Sequence, residues 1–332
     1  MDGGQQQPNV MLMGMLYAFF SSTMMIFNKG ALGVFPFPLQ LTSMQYAVSA
    51  GVVYILAHAK VLEAEPLRWG TIRKFWFVSA VFTLAIFSNT RVLHVASVET
   101  VIVFRTTVAL LTAVGDWIWL GKELPGAQSW GALLSIVAGA AGYSYAEGAQ
   151  LTTDSMVWGV VYVLVLAFEM LYVKHVVTEV KMSTWTRVYY NNMISLAFNM
   201  PLIISSQLAV QPLVAHSSAG PIVSAVAMPA VQNLVAPWSS VISLVALSSL
   251  GGLGISYAGF GFRSLVSATT FTLAGIMCKI ATVLMSQLFF ENKASMQGVA
   301  CLGLCVAGAT VYKPSPDRKP AETTMLPMAI KS

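Results

Sequence analysis

Two adjacent amides, Asn191 and Asn192, follow two tyrosines, Tyr189 and Tyr190, in a strongly apolar part of the sequence. No Asp, Glu, Lys or Arg occurs in 188–262. An amide donates and accepts hydrogen bonds at once, so two amides can match the edge of a heterocycle. A tyrosine ring can supply a stacking face beside it. The same run is equally consistent with hydrogen bonds between helices, which are common in membranes.

Two basic residues also stand inside apolar stretches. Lys279 lies halfway along "LAGIMCKIATVL", and Arg105 lies within "VIVFRTTVAL". Ionisable side chains in such places are functional candidates, and a guanidinium can hold phosphate oxygens with two hydrogen bonds. The alternative for Lys279 is a salt bridge to another buried charge. For Arg105 the alternative is pairing with Asp116 or Glu99.

Other charged residues have plainer interpretations. Asp116 and Glu169 are expected to be counter-charges that hold a helix bundle together. Lys174 lies near a span end, where snorkelling of the amine to the interface explains it. Lys29 is either an interfacial anchor or part of a gate on the lumenal side.

Signatures of enzymes are missing from the sequence. It contains no paired carboxylates at useful spacing, no metal-ligand cluster of His or Cys, no nucleophile elbow and no phosphate-binding P-loop. We therefore expect neither catalysis nor a cofactor or bound metal. Cations, amides and aromatic rings around a central cavity suit transport of an anionic, partly aromatic solute. A rival from another class is a membrane-embedded transferase.

Composition fixes the environment of these residues. The chain has 332 residues, of which 56% are hydrophobic and 9% charged, against about 25% charged in soluble domains. Its apolar residues come in blocks of about 20, the length that crosses a bilayer as a helix. The sequence predicts an all-α polytopic membrane protein, and the net charge of +5 is attributed to orienting residues rather than to nucleic-acid binding.

Ten transmembrane helices are predicted, with mostly short connections. The segment 210–237, which contains four prolines, is predicted to be a long lumenal loop with an interfacial helix, in preference to an eleventh span. The predicted spans are 10–27, 38–59, 75–93, 98–120, 127–145, 155–177, 186–209, 238–261, 265–290 and 296–313.

The basic residues predict the orientation of these spans. With both termini cytosolic, thirteen Lys and Arg residues lie in cytosolic segments and three on the other side, as the positive-inside rule requires. We expect a cytosolic tail at 1–9, a first five-helix half at 10–145, a second at 146–313, and a second cytosolic tail at 314–332.

An internal repeat accompanies this division. "SVETVIVFRTTVALLTAVGDWIWLGKE" and "WGALLSIVAGAAGYSY" in the first half correspond to "LVSATTFTLAGIMCKIATVLMSQLFFENK" and "QGVACLGLCVAGATVY" in the second. Two halves of five spans each must be inverted relative to one another, and many secondary transporters build alternating gates from inverted repeats. The small residues in these stretches predict close helix packing.

Several stretches resemble one family. "SVETVIVFR", "YVKHVVTEVKMSTWTRVYYNN", "GISYAGFGFRSLVSATTFTLAGIMCKIATVL" and "VAGATVY" are similar to nucleotide-sugar transporters of the drug/metabolite transporter superfamily, in its GDP-sugar branch. The resemblance extends over nearly the whole chain. It implies ten spans in two inverted halves, and exchange of cytosolic nucleotide sugar for lumenal nucleoside monophosphate.

The resemblance also implies a set of ligand-facing residues. A Phe-Tyr-Asn-Asn motif whose amides recognise guanine reads here as Tyr189, Tyr190, Asn191 and Asn192. A Gly-Ala-Leu-Asn-Lys motif that lines the sugar and phosphate site reads as Gly275, Ile276, Met277, Cys278 and Lys279. Further positions matched to the family's ligand-facing side chains are Tyr17, Ser256 and Phe271.

The departures from the second motif concern the sugar. Cys278 has no amide to offer a hydroxyl, and Ile276 is bulkier than alanine. The expected function is a Golgi antiporter that exchanges a GDP-sugar (GDP-mannose, GDP-fucose or GDP-galactose) for GMP, with the lipid bilayer as its surroundings and a homodimer left open. The alternative in the same fold is a transporter of UDP-sugars or of phosphorylated metabolites such as triose phosphates.

Overall fold

The computed structural model describes residues 9–34, 37–215, 238–289 and 295–318. At some helical positions, Lys29 among them, only the backbone is described. The predicted tails, most of the predicted loop 210–237 and the turn that contains Lys293 lie outside the described residues.

The described part of the chain is helical, with no β-strand. Its only extended pairing is an isolated bridge between Lys122 and Asp317. The ten helices are α1 Val10–Val34, α2 Pro38–His58, α3 Trp69–Val95, α4 Val98–Ile118, α5 Ala127–Ala146, α6 Thr153–Glu179, α7 Thr184–Ala215, α8 Trp238–Leu265, α9 Ala268–Phe289 and α10 Met296–Val311.

Each predicted span falls on one of these helices, and the differences lie at their ends. The helix α7 continues to Ala215, so the start of the predicted loop 210–237 is helical. Pro212 lies inside that last turn; proline is tolerated in membrane helices where neighbouring groups satisfy the freed carbonyl. The helix α8 runs to Leu265, four residues beyond the predicted end.

Membrane-spanning character is clear for part of the bundle. Among the described residues, four segments are long and apolar enough to cross a bilayer by length and composition, and four shorter helical segments are apolar. The long segments are Leu39–His58, Glu99–Ile118, Thr153–Glu179 and Ile242–Leu265.

Two of the connections between helices are built alike. The helix α4 begins after Ser97, whose side chain accepts from the backbone N–H of Thr100. The helix α9 begins after Ser267, which accepts from the N–H of Thr270 at 3.1 Å. In each case two residues separate the helix from the one before it. A serine in this place satisfies one of the free N–H groups of the first turn, so both junctions are sharp and fixed.

The packing of helices α1–α5 has the same pattern as that of helices α6–α10. The helices α1 and α2 both pack on α8. The helices α6 and α7 pack on α3 in the same way. The helix α4 contacts α5 and α6, as α9 contacts α10 and α1. Three further pairs join equivalent helices: α2 with α7, α4 with α9, and α5 with α10.

The pair α5 and α10 forms a tight seam at two glycines. A methyl group on Gly139 would lie 2.7 Å from the carbonyl oxygen of Cys301, and one on Gly308 would lie 2.9 Å from that of Ala132. Both distances are too short for a carbon atom. The small residues therefore allow the close helix packing that the sequence predicts.

We expect Gly139→Ala to lower the thermal stability of the purified protein in detergent. The new methyl group meets backbone atoms of α10, which cannot rotate away, and such overpacking costs about 1–3 kcal/mol. Gly131→Ala on the same helix is the matched control, because nothing lies within 4 Å of its added carbon. Equal melting temperatures for the two variants would contradict the seam.

Candidate functional site

A cavity of about 170 Å³ lies within the helix bundle. It brings together residues from α1, α3, α6, α7, α8 and α9, and four of them are predicted site residues. Its volume is below the roughly 300–1,000 Å³ of most small-molecule sites, so in this conformation it fits a ring-sized group. Its lining consists of Tyr17, Val78, Phe82, Val173, Asn191, Ile255, Ser256, Gly259, Phe260, Arg263 and Phe271.

One wall of the cavity is aromatic. The rings of Tyr17 and Phe271 lie 4.8 Å apart between centroids, and Phe262 lies 5.9 Å from each of them. The guanidinium carbon of Arg263 stands 4.3 Å above the Phe271 ring. This wall offers flat apolar faces with a cation at one edge, an arrangement suited to a planar ring that carries an anionic group.

The two neighbouring amides are placed differently. Asn191 lines the cavity, and its carbonyl oxygen accepts a hydrogen bond from Ser79 on α3 at 3.2 Å. Its amide nitrogen has no partner among the described residues. Asn192 donates within its own helix to the carbonyl of Val188 at 2.8 Å and does not line the cavity. Of the pair, Asn191 is therefore the one with a donor available to a ligand.

The two tyrosines before them lie away from the cavity. The hydroxyl of Tyr190 donates to the carbonyl of Pro66 at 2.7 Å and accepts from the backbone N–H of Arg68 at 2.8 Å. Tyr189 stacks on Tyr54 with a centroid separation of 6.3 Å. Tyr190 thus fastens the α2–α3 connection to α7, and Tyr189 packs α7 against α2.

A second group of predicted residues adjoins the cavity behind Tyr17. A methyl group on Gly275 would lie 3.2 Å from the Tyr17 hydroxyl and 3.9 Å from a terminal nitrogen of Arg105. Gly275 therefore brings α9 close to both side chains. Arg105 donates to the hydroxyl of Tyr162 at 3.2 Å. Lys279 is one helical turn beyond Gly275 and has no hydrogen bond or ion pair to a described residue.

The remaining residues of that motif are packed in the core. Ile276 is 2% exposed and belongs to the cluster between α4, α5, α9 and α10, and Cys278 is buried in the cluster that includes Tyr17. Neither lines the described cavity. In this conformation Ile276 and Cys278 contribute to the site only indirectly, by packing α9 against the neighbouring helices.

The carboxylates expected near Arg105 are engaged elsewhere. Asp116 was expected to be a counter-charge, but it forms no ion pair within hydrogen-bond distance among the described residues. Its oxygens accept from the backbone N–H groups of Ala268 and Thr269 at 3.3 and 3.0 Å and from the Thr269 hydroxyl at 2.7 Å. A carboxylate is stabilised there by the free N–H groups of the helix start. Arg105 has no ion pair with Asp116 or Glu99 among the described residues.

Glu169 is a counter-charge as predicted, and its partner is a residue that sequence reasoning missed. Nη1 of Arg263 lies 2.7 Å from Oε1 of Glu169. The predicted span ends at 261, so the sequence-based prediction puts Arg263 in the connection that follows it. A buried carboxylate needs a cation or several hydrogen-bond donors, so the signal that points to a partner such as Arg263 is Glu169 itself.

A larger pocket of about 430 Å³ lies on another side of the bundle, between α4, α5 and α6. It has no ionisable side chain except the phenol of Tyr145 and is lined mainly by Val, Leu, Ala and Phe. It therefore lacks the charged groups that would orient an anionic solute.

Comparison with known proteins places the chain in a family. The profile of the triose-phosphate transporter family matches residues 9–313. The chain belongs to this family. It is accordingly a transporter rather than an enzyme, as the absence of catalytic motifs predicts.

The resemblance to the GDP-sugar branch is confirmed by individual relatives. The chain is 34% identical over 299 residues to "GDP-fucose transporter 1" of Arabidopsis thaliana, covering 90% of this chain and 84% of that protein. It is 32% identical over 310 residues to "GDP-mannose transporter GONST3" of the same plant, covering 92% and 78%.

More distant similarity extends to fungi and to solved structures. The "GDP-mannose transporter" of Schizosaccharomyces pombe is 24% identical over 298 residues, which cover 87% of this chain and 81% of that protein. A solved crystal structure superimposes with a TM-score of 0.61 at 15% identity, over 91% of this chain and 95% of that chain. At that identity the likeness concerns the fold alone.

We expect Tyr190→Phe to lower the thermal stability of the protein in detergent. The change leaves the Pro66 carbonyl and the Arg68 N–H without their shared hydroxyl, and one such hydrogen bond contributes about 1 kcal/mol. Tyr54→Phe is the control, since the Tyr54 side chain is 58% exposed and has no hydrogen bond within the described residues. A melting temperature that falls equally in both variants would argue against the role of Tyr190 as a fastening for the connection.

Proposed function

We propose that this transporter exchanges a cytosolic GDP-sugar for lumenal GMP across the Golgi membrane. The observation that carries the proposal is the amide nitrogen of Asn191, which lines the cavity without a partner among the described residues. It lies beside aromatic rings and near Arg105 and Lys279, which no described carboxylate pairs with. Relatives named as GDP-fucose and GDP-mannose transporters support the GDP-sugar class. The sugar itself remains one of GDP-mannose, GDP-fucose or GDP-galactose.

The base and the phosphates are assigned to different parts of the site. Asn191 and Ser256 present polar groups to the guanine, and Tyr17 and Phe271 pack against its faces. Arg105 and Lys279 neutralise the phosphates beyond Tyr17. Gly275, which lies between Tyr17 and Arg105, allows the ligand to approach the backbone of α9.

The proposed mechanism is alternating access by two inverted five-helix halves, 10–145 and 146–313, with both termini cytosolic. The packing pattern that is equal in the two halves, and the two serine-capped junctions, support an inverted repeat. A ligand can exchange the two facing states only if it interacts with them differently. The small volume of the cavity fits this requirement, because a whole nucleotide sugar needs the site to open.

Exchange assays in proteoliposomes test the proposal. We expect uptake of GDP-mannose, GDP-fucose or GDP-galactose to be stimulated by internal GMP, and to be weaker with internal UMP or phosphate. The control is vesicles without internal nucleotide. Stimulation by UMP would favour a UDP-sugar carrier, and stimulation by phosphate alone would favour the phosphorylated-metabolite alternative that the family name suggests.

Replacing Asn191 and Asn192 one at a time should give different effects. We expect Asn191→Ala to weaken GMP binding by about 10-fold or more, because a donor to the base is lost inside a buried site. We expect Asn192→Ala mainly to lower the melting temperature, because its amide donates within α7. Binding by isothermal titration and melting in detergent give both readouts. Equal effects of the two changes on GMP binding would contradict the separate roles.

Lys279 should act through its charge. We expect Lys279→Gln to reduce GMP exchange by at least about 10-fold, because charge-assisted contacts to phosphate are roughly twice as strong as neutral ones. Lys279→Arg keeps the charge and should retain part of the exchange. Initial rates at several GMP concentrations measure this. Similar rates for wild type and Lys279→Gln would exclude the phosphate contact.

A further inference from the structure

The ion pair between Arg263 and Glu169 joins two helices at the edge of the cavity. Arg263 belongs to α8 and Glu169 to α6, and a second contact, from Nη2 to Oε2, measures 3.4 Å. The Glu169 side chain is only 2% exposed, and that of Arg263 is 12% exposed. Arg263 lines the cavity whereas Glu169 does not. The cation is thus shared between a buried carboxylate and the proposed ligand space.

The pair stands where the two halves differ in packing. The helix α8 packs on α6 and on α7. The equivalent helix α3 has no comparable packing on α1 or α2 in the described part of the chain. In the proposed topology the residues that join α8 to α6 and α7 lie towards the cytosolic side. The described conformation is therefore closed at that end, and the ion pair is one of the contacts that close it.

Neighbouring contacts hold the same turn in place. Nζ of Lys174 donates to the carbonyl oxygens of Arg263 and Ser264 at 2.9 and 3.3 Å. Asp116 holds the start of α9, a few residues further along the chain. The backbone at the α8–α9 junction is thus fixed from both sides. A change at the ion pair is therefore expected to move the side chains and to alter the contact between α6 and α8, without moving the junction.

The chemistry of the pair makes it responsive to an anion. A guanidinium has five N–H donors, and Glu169 occupies only part of them. A ligand phosphate that passes Tyr17 on its way to or from Arg105 and Lys279 offers Arg263 the same bidentate geometry as a carboxylate. Removing the cation from Glu169 leaves a charge uncompensated in a dry interior, which is strongly unfavourable unless water reaches it. When Arg263 exchanges Glu169 for phosphate, the contact that joins α6 to α8 is therefore lost and the two helices can separate.

We propose that Arg263 is a third cation for the ligand phosphate, and that Glu169 is a built-in competitor whose displacement opens the α6–α8 end. The inference rests on the proposed function only in taking this cavity as the ligand site. It assigns to Glu169 a positioning role, because it acts through Arg263 and does not line the cavity.

Affinities of a charged and an uncharged ligand test the competition. In purified protein we expect Glu169→Gln to tighten GMP binding by about 3- to 10-fold and to leave guanosine binding unchanged, because only the anion competes with the carboxylate. We expect Arg263→Gln to weaken GMP by about 10-fold or more relative to guanosine. The measured quantity is the ratio of the two dissociation constants.

Two further variants guard against damage to the fold. The double variant Glu169→Gln with Arg263→Gln leaves no unpaired charge at this pair. We expect it to bind GMP more weakly relative to guanosine, as Arg263→Gln alone does. Asp116→Asn is the matched control, because it removes a carboxylate at the same end that forms no ion pair with a described residue and does not line the cavity. It should change the dissociation constants of GMP and guanosine by the same factor. An unchanged GMP-to-guanosine ratio in the Arg263 variants, or an equal shift of both ligands by Glu169→Gln, would overturn the proposal.

The experiment separates this inference from the proposed function. If wild-type protein prefers UMP, the guanine assignment fails, and the same ratio measured with UMP and uridine still tests Arg263. If no nucleotide binds, the melting temperatures of the wild type and the Arg263 variants in inorganic phosphate and in chloride serve the same purpose. If GMP binds but the ratio does not respond, the competition fails and the proposed function stands.

Discussion

A buried charge needs a partner, and in this apolar bundle that requirement organises the contacts between helices. Glu169 takes Arg263, Asp116 takes the N–H groups at the start of α9, and Lys174 takes carbonyls at the end of α8. These contacts fix one junction from three directions. What distinguishes Arg105 and Lys279 is that no described carboxylate pairs with them. In the proposed function their charge is available to the ligand phosphates.

Tyr17 connects the two parts of the site. Its ring belongs to the aromatic wall of the cavity, and its hydroxyl lies close to Gly275, next to Arg105. In the proposed function, a ligand that reaches from Asn191 to Arg105 and Lys279 passes this side chain. The proposed division into a base end and a phosphate end follows from the position of one residue on α1 rather than from either motif alone.

The sequence predicted the helices well and the site only in part. Blocks of apolar residues locate each helix to within a few positions, because a bilayer sets their length. Which side chains meet is another matter. Consecutive residues of a helix point in different directions, so Asn191 faces the cavity while Tyr190 and Asn192 do not. Arg263 was missed because a four-residue error at the end of α8 moved it out of the bundle.

The glycine seam between α5 and α10 has a consequence for how the protein tolerates change. At Gly139 and at Gly308 an added methyl group would meet the backbone of the facing helix. No single replacement of a side chain opposite can make room for it, since backbone atoms are common to every residue. Genetic suppressors of a change at either glycine should consequently be scarce near the seam, and those that arise should act by raising stability elsewhere in the molecule.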